Sequence, residues 1–219
     1  MRQNGKPKAS VSSKIRQRPG HRAGGVLLLP AGDAWVLVDA AADGVTVEPL
    51  AATDFSRPLA RVVTDGAIAE ELAVPAQRIV DLTVTVLSAE AAGLARWCLQ
   101  TATEYAKVRE QFGKPIGSFQ AIKHMCAEML LRAEQASVAA ADAARAASDS
   151  SGRSEDAQLS LAAALAASVG IEAAKANAKD CIQVLGGIGI TWEHDAHLYL
   201  RRAYAIAQFL GGRSRWLRR

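Results

Sequence analysis

Apolar and polar positions along this chain change rhythm near Pro75. Before it, Val26-Leu-Leu-Leu29, Trp35-Val-Leu-Val38, Val45-Thr-Val47 and Ala60-Arg-Val-Val63 are short β-prone runs. Turn-forming stretches at Pro30-Ala-Gly-Asp33, Asp39 to Gly44 and Asp54 to Pro58 separate them. Runs this short predict strands, but too few to close an independent sheet over much of a core. Residues 25–80 therefore read as part of a larger β domain.

After Pro75 the period lengthens to three and four residues. A first helix is predicted from about Leu82 to Gln111, stopped at Gly113-Lys-Pro-Ile-Gly117, where two glycines and a proline enforce a turn. Ser118 is placed to cap a second helix, along which Ile122, Met125, Cys126, Met129, Ala133, Ala136 and Ala140 form the stripe of a bundled helix. Asp149-Ser-Ser-Gly-Arg153 breaks it. A third helix is expected over roughly Glu155 to Leu185, with Leu161, Leu165 and Val169 on one side and alanines allowing close approach. A fourth runs from about His194 to Leu210 and stops at Gly211-Gly212. Short connections between four helices predict an antiparallel up-and-down bundle over residues 81–219. The fold class expected is mainly α, a four-helix bundle preceded by a small partial β region.

Composition supports helices. Half of the 219 residues are apolar but only 5% are aromatic, and alanine, the residue of highest helix propensity, is abundant. The net charge of +4 belongs to the beginning of the chain, since residues 1–22 hold seven of the 26 Lys and Arg and no acid. That segment has no aromatic residue for nucleic-acid reading, and its glycines and prolines deny it an amphipathic helix, so residues 1–24 read as a disordered basic arm. No stretch of 18 uncharged apolar residues occurs, which predicts no membrane span. Cys98, Cys126 and Cys181 are odd in number and each sits in an apolar helical pattern, so buried reduced thiols and a cytoplasmic location are expected.

Two stretches carry candidate chemistry. Arg109 in the first helix's last turn and Gln120 in the second helix's first turn flank one tight turn and can face one site. An arginine fork beside exposed helix-start amides suits a pyrophosphate. An arginine at a helix C-terminus also complements the helix dipole, and spacing alone leaves both readings open. Gly186, Gly187 and Gly189 end the third helix and let a flat or anionic group approach the backbone. They lack the spacing and the preceding strand of a dinucleotide fingerprint. Glu193-His194-Asp-Ala-His197 places two histidines on one helix face, but one such pair gives too few ligands, and no metal site is assigned.

Tyr105-Ala-Lys-Val-Arg-Glu-Gln-Phe-Gly-Lys-Pro-Ile-Gly-Ser-Phe-Gln-Ala-Ile-Lys-His124, followed by Cys181-Ile-Gln-Val-Leu-Gly-Gly-Ile-Gly189, closely resembles the C-terminal domain of the acyl-CoA dehydrogenase family. The likeness covers roughly Leu82 to Gly211, and residues 25–80 resemble the second half of that family's middle β domain. In that family the flavin lies across a subunit boundary. The resemblance implies that Arg109, Phe112, Gln120, Gln183, Gly186 and Gly187 reach an FAD held mainly by a neighbouring subunit.

The resemblance also marks a departure. The family needs a carboxylate to take the substrate's α-proton as a hydride leaves the β-carbon. Counted from Arg201-Arg-Ala203, its usual position falls on Leu210; the rarer one falls on Thr83. Neither side chain can act as that base. Arg202 also replaces the aspartate of the family's Arg-Asp pair. The expected role is a subunit of an acyl-CoA dehydrogenase that supplies FAD contacts in trans but no base. A homologous subunit in a heterotetramer would carry the carboxylate and most of the acyl-CoA pocket, with bulky thioesters such as those of sterol side chains as substrates. Two alternatives stand beside it: a self-associating homomeric dehydrogenase or oxidase using Asp81 or Glu90, and a non-enzymatic helical interaction module.

Overall fold

The computed structural model of this chain describes residues 25–149 and 153–218. The basic arm expected over residues 1–24, and part of the break expected after Asp149, lie outside the described residues. The chain divides after Ile79 into two compact units.

In the first unit, β1 (Val26–Ala31), β2 (Ala34–Asp39) and β5 (Ala69–Glu71) form one antiparallel sheet in the order β1-β2-β5. A second, two-stranded sheet pairs β3 (Val45–Leu50) with β4 (Leu59–Thr64). Leu27, Leu29, Val38 and Val62 come from both sheets and make a single small core. Gly44 turns the chain into β3 at φ 82°, and a side chain there would collide with the Asp65 carbonyl oxygen at 2.1 Å.

The second unit holds the helices. α1 spans Ala76–Val108, α2 Gln120–Asp149, α3 Arg153–Leu185 and α4 Ala196–Leu210, followed by a single turn, α5 (Arg213–Trp216). Contacts give the directions. Asp81 of α1 meets Ser160 of α3, and Ala95 meets Asn177, so α1 and α3 run parallel. Arg132 of α2 meets Asp180 while Ala139 and Ala143 cluster with Ala162 and Ala166, and Tyr199 of α4 stacks on Trp97 while Arg202 meets Glu90, so α2 and α4 run against them. The result is the up-and-down bundle expected from the sequence.

Several boundaries shift for physical reasons. α1 starts at Ala76, six residues before Leu82, because the Pro75 carbonyl already accepts from the Arg78 and Ile79 amides. It stops at Val108, and Arg109 to Pro115 becomes a hairpin. Ser118 lies inside a short 3₁₀ turn (Ile116–Ser118), and α2 opens with the Phe119 carbonyl accepting from Ile122 and Lys123. α4 starts two residues later than His194 and ends as expected: Gly211 at φ 79° and Gly212 return their amides to the Ala207 carbonyl.

Alanine builds the interior. Ala133, Ala136, Ala139, Ala140 and Ala143 of α2 are buried, with Ala162, Ala163, Ala166 and Ala167 of α3. Small side chains let helix axes approach closely. Leu161 and Leu165 of α3 face outward instead, as do Leu82 and Val86 of α1. By length and composition alone α1 and the Asp156–Ile190 stretch are apolar enough to cross a membrane. Here they are neighbouring core helices of the bundle, tied by buried Asn177, which donates to the carbonyls of Ala95 and Met129 at 3.0 and 2.9 Å. Cys98 and Cys181 are buried free thiols; Cys126 is only half-buried.

Candidate functional site

Two sets of groups lie at opposite ends of the bundle. The first is where α1 and α3 stop. After Val108 the backbone turns through a miniature hairpin, β6 (Glu110–Gln111) against β7 (Lys114–Pro115), whose two loop residues are Phe112 at φ 54° and Gly113 at φ 74°. Positive φ at both loop positions is the twist a two-residue hairpin needs, and Asn-Gly or Gly-Gly is its usual occupant. A phenylalanine in that conformation is strained by of order 1 kcal/mol or more. The ring is nevertheless 92% exposed, touching only the edge of Phe119 at a centroid distance of 6.1 Å.

Arg109 precedes this hairpin. Its amide donates to the Tyr105 carbonyl at 2.9 Å and its carbonyl accepts from Ile116 at 2.8 Å, which fixes the backbone. Its guanidinium is exposed and makes no ion pair with any described residue. Gln120 stands exposed at the first position of α2. Gly117 lets this turn lie against α1, because a side chain there would meet the Ala106 carbonyl oxygen at 2.8 Å.

At the same end, Gln183 is exposed in the last turn of α3 and Gly186 breaks the helix at φ 64°. Gly187 has open space where a side chain would be, whereas Gly189 is buried and a side chain there would meet Leu185 at 2.9 Å. Gly187 thus leaves backbone accessible and Gly189 serves packing. All six candidates, Arg109, Phe112, Gln120, Gln183, Gly186 and Gly187, are exposed at one end. They form two patches joined by no side-chain hydrogen bond among the described residues. Together they offer a fork-shaped cation, a bare aromatic face, an amide side chain and open backbone, chemistry suited to a large anionic, planar ligand.

The opposite end holds Asp81, Thr83, Glu90, Arg202 and Leu210. Asp81 is 1% exposed and accepts the Ser160 hydroxyl. Glu90 takes a bidentate pair from Arg202, Nε and Nη2 each at 2.8 Å, and Arg202 itself is only 5% exposed. That pair supplies the partner for the arginine that departs from the family pattern. Both acids named as substitute bases are thereby engaged between helices. Thr83 is exposed on α1. Leu210, 3% exposed, packs in the core near Ile206 and Trp216, and the Trp216 indole N–H donates to its carbonyl at 2.8 Å.

Other groups are accounted for locally. Ala196 N–H donates to His194 Nδ1 at 3.1 Å and His197 Nδ1 donates to the His194 carbonyl at 2.8 Å, which caps the start of α4. Among the described residues no group of three or more His, Cys, Asp or Glu could hold a metal. Cys98 lies well above the ordinary thiol range because it is hydrogen-bonded to Cys181 and because burial opposes its thiolate. Trp97 stacks on Tyr199 with centroids 3.5 Å apart, and burial raises the Tyr199 phenol. The Glu90–Arg202 pair and this stack escape sequence reading because their members lie a hundred or so residues apart, with no local spacing to relate them.

Residues 75–219 match the family model described as acyl-CoA dehydrogenase, C-terminal domain. The chain is 68% identical over 214 residues to acyl-CoA dehydrogenase FadE34 of Mycobacterium tuberculosis, a match covering 97% of this chain and 30% of FadE34. Among solved structures it is similar to a steroid ACAD, Tcur3481-Tcur3483, at 26% identity and a TM-score of 0.77, over 94% of this chain and 60% of that one. The ChsE4-ChsE5 complex from Mycobacterium tuberculosis follows at 26% identity and 0.74, over 99% of this chain and 62% of that one. The chain thus spans about a third of FadE34 and about three fifths of the chains in the two solved structures.

Proposed function

This chain belongs to the acyl-CoA dehydrogenase family through that family's C-terminal domain, and from this membership we propose that it is a subunit giving flavin contacts across a boundary without supplying the base. The observation that carries the reading is the opposite condition of the two ends. Among the described residues Arg109 makes no ion pair, and Phe112 is held, under strain, open to solvent, while Asp81 and Glu90 are tied up inside the fold.

The exposed residues fit part of an FAD. Arg109 and Gln120 would hold the pyrophosphate and neighbouring polar groups, Phe112 would pack on the adenosine, and Gln183 with the open backbone at Gly186 and Gly187 would bond the cofactor. A bidentate arginine suits a pyrophosphate in charge and in shape. When bound, FAD supplies the acceptor for the hydride leaving the substrate's β-carbon. This chain's part is to bind and orient; the base that takes the α-proton belongs to a homologous partner, as Leu210 and Thr83 offer none.

Support for a partner comes from the surface. Leu82 and Val86 on α1, and Leu161 and Leu165 on α3, are exposed large apolar side chains. Large apolar side chains left exposed on two core helices are what a protein contact would cover. A heterotetramer with a homologous acyl-CoA dehydrogenase chain would cover them, and the ChsE4-ChsE5 complex is a precedent among similar folds. FadE34 is roughly twice as long as a chain of that complex, judged by the shares covered, long enough for a second unit of domain size. A partner region on one longer polypeptide meets the same need. The substrate class proposed is a bulky acyl-CoA, such as a sterol side-chain thioester, in line with the steroid ACAD it resembles. Three free cysteines suit a reducing, cytoplasmic setting.

Co-expression with a homologous chain that retains the carboxylate tests this. Flavin absorbance and dye reduction with acyl-CoA should appear only in the mixture, and Arg109→Ala in this chain should weaken both. Flavin occupancy unchanged by that substitution sinks the proposal. Bleaching of flavin on the chain alone would favour the homomeric alternative, and a folded mixture without flavin the non-enzymatic one.

A further inference from the structure

We propose that a second ligand site lies between the last turns of α1 and the first turns of α2, taking a small amphiphile with one anionic head, a carboxylate or phosphate, and a short apolar tail. A cavity of about 470 Å³ opens there, lined by the apolar Ala106, Pro115 and Ile122 and by Lys107 and Lys123. That volume is in the range of small-molecule pockets. No acid lines it, and neither lysine makes an ion pair with a described residue. Thr103 also lines it, but its hydroxyl is already bonded to the Leu99 and Gln100 carbonyls at 2.9 Å. The ammonium groups are left as the charged groups that a ligand would meet.

Placement of the two lysines differs in a telling way. Lys107 is in the last turn of α1, where a cation complements the helix dipole. Lys123 is in the first turn of α2, which carries no acid, and a cation there opposes the dipole. An anion held between both lysines would offset that cost. Gly117 contributes by letting the turn sit against Ala106 and so close the cavity's wall. None of the six flavin candidates lines this cavity, so the site is independent of the proposed flavin role.

Cys126 lines the cavity too and reports on it. Burial, followed by the nearby Asp180 and Cys181, raises its thiol, so it alkylates slowly and at a measurable rate. Cys98 and Cys181 are each 1% exposed and stay silent in the folded chain. The experiment follows iodoacetamide modification of Cys126 in the intact chain by mass spectrometry, with octanoate, octyl phosphate or octanol added. Either anion should slow modification saturably, by about tenfold at ten times its Kd, and the stronger of the two names the head group. Protection should vanish in the Lys107→Glu, Lys123→Glu double variant, with circular dichroism verifying the fold. The milder Lys107→Gln, Lys123→Gln pair gives the same reading if the reversal unfolds the chain. Equal protection by octanol, protection that survives loss of both charges, or no protection by either anion overturns the proposal. Because no flavin or partner is involved, such a failure leaves the flavin reading untouched.

Discussion

At the end where α1 and α3 stop, the guanidinium of Arg109 makes no ion pair among the described residues, the ring of Phe112 is almost wholly exposed and Gly187 has open space beside it; where the same helices begin, Asp81 is bonded to Ser160, Glu90 to Arg202, and Leu210 is sealed in the core. The first end keeps a strained Phe112 and a solvated charge at its surface. The second spends its charged groups on holding helices together. On the proposed reading, ligand binding uses the first end and the second supplies no base.

The sharpest way to break this contrast is Glu90→Ala. It strands a nearly buried Arg202, and loss of one partner of such a pair costs about 3–5 kcal/mol. Chemical denaturation should read that loss, and Arg202→Met added to it should recover a large part; a neutral Glu90→Ala would show that the pair holds nothing. Leu210→Glu asks whether a base can simply be restored. Placed in the core as the helices now stand, the carboxyl should cost roughly 3 kcal/mol at neutral pH. Burial would raise its folded-state pKa. The loss should therefore be smallest below the unfolded glutamate value of about 4.3, and grow as pH rises toward the folded value. Thermal melts of variant and parent at matched pH give the difference.

At the other end the order of effects inverts. Arg109→Ala should leave unfolding within about 0.5 kcal/mol of the parent, as for exposed positions generally, yet weaken flavin retention in the assembled complex by about 1.5–3 kcal/mol, the worth of hydrogen bonds to charged groups. Equilibrium dialysis against FAD measures it. Phe112→Gly is the smallest and most diagnostic change. Relief of the positive φ should raise stability by about 0.5 kcal/mol after the glycine's greater unfolded-chain entropy is subtracted, while flavin retention falls. A drop in both would mean that the ring supports the fold.

Much of this was legible in the sequence where the signal is local. The period of three and four over residues 120–149 and the paired glycines after Leu210 set helices and ends correctly, because each depends on neighbours a turn away. The failures are equally physical. Gln111 looked helical because nothing marks Phe112 as a left-handed residue; only the closed hairpin forces it there. Leu161 and Leu165 suggest a core edge by hydrophobicity, yet alanines fill the interior because close helix approach favours small side chains over large ones. The six flavin candidates came from resemblance to a family rather than from spacing, and the structure adds their common exposure at one end. Glu90 and Arg202 could not be paired from sequence, since their contact exists only after α4 docks against α1.

α1 is continuous over 33 residues, about 50 Å at 1.5 Å per residue, and Thr83 and Arg109 stand toward its opposite ends. A rod of that length keeps two duties physically insulated: a substitution that silences one end sends no strain to the other. On the proposed reading, a base can be lost at one end while the flavin-contacting tip is kept, because the two lie about a helix's length apart. Helix length alone makes such a division of labour easy to reach and hard to reverse.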